Sequence, residues 1–96
     1  MVEKASEKDT LVWKTKDKEI RIRNLKELFD VLVNIRQEDI DKEINLNINK
    51  KENKLFEWLE ANFPKQMELI THLKNIEEFS PQQIREQIIR DLRRII

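Results

Sequence analysis

SPQQIREQIIRDLRRII, residues 80–96, is the stretch that decides the class of this fold. Ser80 precedes Pro81 and stands three residues before Gln83, an arrangement that sets an N-cap, a proline at the first helical position and a capping box. Ile84, Ile88, Leu92 and Ile95 then recur at spacings of four, four and three, with Ile89 and Ile96 beside them. That is one apolar stripe along a helix. Arg85, Arg90, Arg93 and Arg94 flank it, together with Glu86 and Asp91, and the cations near the C-terminal end suit the helix dipole. The stripe predicts a helix that closes the core. It also suggests an interface, because Ile95 and Ile96 are hard to bury in so small a monomer.

Upstream, Pro64 predicts the first turn of another helix, with Met67, Ile70, Leu73 and Ile76 facing inward. Before it, residues 52–61 predict a helix whose apolar face is Leu55, Phe56, Trp58 and Leu59. The Phe63-Pro64 step ends that helix, since a residue before proline disfavours helical backbone. INLNIN, residues 44–49, alternates strictly between Ile44, Leu46, Ile48 and three asparagines, which reads as a strand. Asp39 stands as a cap for a short turn through Ile40 and Glu43. Asn24 is an N-cap for a helix over residues 24–36, with Leu25, Leu28, Phe29, Leu32 and Ile35 on one face.

TLVWKTKDKEIRIR, residues 10–23, contains two alternating runs around Lys16-Asp17-Lys18 and reads as a β-hairpin. No glycine marks its turn, which points to a type I turn or a longer loop. Residues 1–9 are polar and read as a flexible tail. The expected fold is therefore α+β and helix-dominated: a short N-terminal hairpin, with or without a third strand, packed with about four helices in one domain over residues 10–96.

The 96-residue chain carries 39% hydrophobic and 40% charged residues, a thin core under a densely charged surface. A chain of this size buries roughly 60–65% of its unfolded surface, too little for a deep enclosed site as well as a core. Formal charge is zero, yet residues 10–23 are net +3 and residues 27–60 net −4. There is no cysteine, which excludes disulfides, thiolate zinc sites and cysteine nucleophiles. There is no glycine either, which excludes the P-loop and the dinucleotide fingerprint. The opening residues carry no apolar signal region and no segment is long and apolar enough to span a bilayer, so a cytoplasmic setting is expected. Richness in Lys, Glu, Arg and Ile fits a thermophile, and an A/T-rich genome gives the same bias.

Chemistry-bearing residues are few. His72 is the one histidine and, read alone, cannot build a zinc site without cysteines or clustered carboxylates. Ser80 is committed to a cap and Thr15 to the hairpin, so the sequence suggests no Ser-His-Asp triad. Asp39, Asp41 and Glu43 resemble an acidic metal loop, but Ile44 stands where an EF-hand requires glycine. Trp58 reads as a core anchor, and Trp13 does so too, although with Lys14, Lys16, Arg21 and Arg23 on its hairpin it also offers a surface on which a base could stack. No catalytic residue, metal or cofactor is implied. Two surfaces remain. The first is the stripe Ile84, Ile88, Leu92, Ile95 and Ile96, expected to join copies of the chain or a protein partner. The rival is the basic hairpin, with Lys14, Lys16, Arg21 and Arg23 placed to meet nucleic acid.

From about Ile20 to Asn75 the order of motifs resembles a small archaeal domain family of unknown function. Its N-L-x-E-L helix start stands here as Asn24-Leu25-Lys26-Glu27-Leu28, and its N-D-F-x-x-W-I motif as Asn53-Lys54-Leu55-Phe56-Glu57-Trp58-Leu59. Lys54 and Leu55 replace the motif's Asp and Phe, and Glu43-Ile44 stands where that family has a His-Val step. The resemblance implies a fold and an archaeal setting, and offers no known activity to carry over.

Overall fold

The computed structural model describes residues 10–48, 53–75 and 79–96. The expected tail over residues 1–9 lies outside them. Strands β1 (Leu11–Lys14) and β2 (Glu19–Ile22) form an antiparallel hairpin, pairing Leu11 with Ile22 and Trp13 with Ile20. These four side chains face the core, while Val12, Lys14, Glu19 and Arg21 face outward, as the period of two requires. The turn needs no glycine. The Thr15 hydroxyl accepts from the Asp17 and Lys18 N–H groups, the Thr15 N–H donates to the Lys18 carbonyl at 2.8 Å, and no described residue takes a positive φ.

Five α-helices follow among the described residues. Helix α1 (Leu25–Val33) starts on Asn24, whose side chain accepts from the Glu27 N–H at 2.9 Å. It buries Leu25, Leu28 and Leu32 and ends before Ile35, which reaches the core from the loop beyond. A 3-10 turn (Gln37–Asp39) leads into α2 (Ile40–Asn47). Helix α3 (Lys54–Asn62) begins at Asn53, whose side chain accepts from the Phe56 N–H at 2.9 Å and donates to the Leu73 carbonyl at 3.3 Å. Helix α4 (Met67–Lys74) buries Leu69, Ile70 and Leu73. Helix α5 (Pro81–Ile95) carries both halves of its capping box: Gln83 N–H to Ser80 Oγ at 3.2 Å, and Ser80 N–H to Gln83 Oε1 at 2.9 Å. It packs against α1, α2 and α4, so the core is built around it.

Two expectations are corrected. Residues 44–47 of the anticipated third strand belong to α2 instead, and Asn49 lies outside the described residues. The spacing of Ile44 and Ile48 satisfies a strand and a helix equally, since four residues is two pleats or one turn. Leu46 separates the two readings. A strand would bury it beside Ile44, whereas the helix turns it away and leaves it 50% exposed. Asp39 occupies the cap position of α2 without a side-chain cap bond, and its carboxylate lies 3.8 Å from Lys16 Nζ instead.

The start of α4 is the second correction. Pro64 lies in the turn between α3 and α4, and the helix begins three residues later than the proline suggested. The inward face moves with it. Leu69 joins Ile70 and Leu73 in the core, and Met67 points outward at 66% exposure. Ile76 lies outside the described residues.

Candidate functional site

Of the five residues expected at an interface, Ile84, Ile88 and Leu92 are buried within the domain itself. They pack in the single core cluster with Leu28, Leu32, Ile44 and Leu73, and are not available to another chain. Ile95 and Ile96 are different, at 36% and 50% exposure. Helices α4 and α5 run antiparallel, as shown by the Glu68–Arg94 contact at 3.1 Å and the His72–Asp91 contact at 2.6 Å. The start of α4 therefore lies at the same end as the close of α5. This brings exposed Met67 to the end of the molecule that carries Ile95 and Ile96.

On the hairpin, Lys14, Lys16, Arg21 and Arg23 are all exposed. Lys14 and Arg21 share the outward face with Glu19, and Lys16 faces Asp39 across to α2. Trp13, the aromatic residue that would stack a base, is fully buried. Its indole N–H donates to Glu43 Oε1 at 2.9 Å. Glu43 is thus committed to holding the hairpin on α2.

Asn47 completes that junction. Because Trp13 and Thr15 bond across the hairpin, the Lys14 N–H and C=O point away from β2. The Asn47 side chain meets both: Oδ1 accepts from the Lys14 N–H at 2.7 Å and Nδ2 donates to the Lys14 carbonyl at 2.8 Å. Nδ2 also reaches the Glu43 carbonyl at 2.7 Å. One amide thus imitates a neighbouring strand and closes the edge of the sheet. Beside this junction lies a half-open hollow of about 310 Å³, lined by Lys16, Asp39, Lys42, Glu43, Asn45 and Leu46.

The polar cluster between α4 and α5 was not legible as a site. His72 Nδ1 meets Asp91 Oδ2 at 2.6 Å, and Gln87 Nε2 donates to Asp91 Oδ1 at 3.1 Å. Nδ1 donates to the carboxylate in the tautomer that bears its hydrogen there, and Gln87 Nε2 lies 3.4 Å from the same ring nitrogen. Asp91 is 4% exposed, and with Asn47 it is one of two buried polar side chains among the described residues. Glu68, one helical turn before His72, completes a group whose ligand atoms lie within 4.8 Å of one another. A signal was present in the sequence. Asp91 falls three residues after Ile88 and seven after Ile84, on the core side of the α5 stripe, where a carboxylate needs a partner.

No helix among the described residues is long and apolar enough to cross a membrane. No protein-family model matches the chain, and neither a curated protein nor a solved structure matches it.

Proposed function

We propose that this chain is a non-catalytic interaction module that self-associates through the end of the molecule bearing Met67, Ile95 and Ile96. One observation carries the reading. The α5 stripe, after supplying Ile84, Ile88 and Leu92 to the core, runs on into two exposed isoleucines, with exposed Met67 at the same end. Pro64, three residues before Met67, is exposed as well. Apolar side chains grouped at one end favour contact with a like surface, and a two-fold pairing would place each patch on its twin. The exposed Glu68–Arg94 pair borders the patch and supplies a polar rim.

The test is the mass of the particle in solution, by light scattering on the full chain with EDTA present. Wild type is expected to be a dimer or larger. Ile95→Glu combined with Ile96→Glu should give a monomer with an unchanged far-UV CD spectrum. A wild-type monomer at about 100 μM, a concentration at which even weak pairing shows, removes the proposal.

A further inference from the structure

We infer that Glu68, His72 and Asp91 form a binding site for a divalent transition-metal ion of the zinc class, a reading that does not rest on the self-association proposed above although Glu68 borders that patch. The three residues combine one imidazole with two carboxylates, drawn from two helices. Glu68 and His72 are one turn apart on α4 and project the same way, while Asp91 comes across from α5.

The state of Asp91 is the second observation. Its carboxylate is 4% exposed, so its polar oxygens are held away from water at a cost. A leucine there would pack without that cost. Instead the carboxylate is aimed at His72, and the Gln87 amide holds Oδ1 so that Oδ2 faces the imidazole. This is the support that a metal-binding carboxylate requires from its surroundings.

The geometry is close to a coordination sphere. Around a tetrahedral ion with bonds of about 2.0–2.2 Å, neighbouring ligand atoms stand roughly 3.3–3.5 Å apart. His72 Nδ1 and Asp91 Oδ2, now 2.6 Å apart, would open by less than about 1 Å, and the neutral imidazole would carry its proton on Nε2. Glu68, within the 4.8 Å limit of the group, would turn inward. Its present partner Arg94 lies at 3.1 Å and both side chains are about two-thirds exposed, so that bridge is weak and easily given up. The imidazole selects zinc, nickel or cobalt over magnesium and calcium, which prefer all-oxygen sites. Water would complete the sphere.

Zinc chloride titrated into the full chain against a chromogenic chelator tests this, with cobalt(II) absorption as a spectroscopic check. One equivalent should bind, and magnesium should not compete. His72→Ala should abolish the cobalt band, and Glu68→Gln should weaken zinc binding by about tenfold or more, as expected for a lost ligand. Glu68 is exposed, so its variant keeps the fold and decides the matter if His72→Ala does not. The site is disproved if wild type binds no zinc under excess metal. It is equally disproved if zinc binds but neither substitution in a folded variant alters it.

Discussion

Asn47 shows how much of this domain rests on single polar side chains. A two-stranded hairpin is marginal by itself, and its outer edge exposes backbone groups that need partners. Asn47 supplies both a donor and an acceptor to Lys14 from a nearly buried position. Asn47→Ala leaves that N–H and C=O unmatched, and the expected loss is about 2 kcal/mol. Urea unfolding should show a lower midpoint with an unchanged slope. Asn47→Asp should fail as well, because a carboxylate accepts from the Lys14 N–H but cannot donate to its carbonyl. Trp13 and Glu43 make the adjoining contact, so adding Glu43→Ala to Asn47→Ala should lower the urea midpoint further.

Helix α5 and helix α2 mark the two extremes of what the chain discloses at the level of elements. The start of α5 is written in local chemistry: a capping serine, a proline without an N–H to lose, and a glutamine that reaches back. Ser80→Ala is expected to cost about 1 kcal/mol, read as a lower thermal midpoint with the helical CD signal intact below it. The hairpin was equally legible, because Trp13 and Ile20 have no helical alternative that groups them with Leu11 and Ile22. Helix α2 was not. Ile44 and Ile48 fit both periods, and the deciding residue was Leu46, whose burial no local rule settles. The same ambiguity of context hid the polar cluster. His72 looked solitary along the chain because its partner Asp91 lies 19 residues away and only antiparallel packing of α4 on α5 joins them. Interface residues suffered the opposite error. Ile84, Ile88 and Leu92 carry the right pattern for an interface, but a domain this small needs them for itself.

At the scale of the whole molecule, one core cluster links the hairpin and all five helices. Trp13 lies in it at the hairpin end, and Trp58 in α3 packs edge-to-face on Phe63 with centroids 5.2 Å apart. Both indoles should therefore emit at short wavelength in the native state and resist quenching by acrylamide. On heating, fluorescence and far-UV CD should report a single coincident transition, and separated transitions would show that the hairpin unfolds on its own. The turn at Thr15 has a wider consequence. With its geometry supplied by a hydroxyl, and with no glycine anywhere in the chain, every residue keeps the restricted backbone freedom that a Cβ imposes. The denatured chain therefore has fewer conformations to surrender on folding than a glycine-bearing chain of the same length, a gain in stability made without any added contact in the native state.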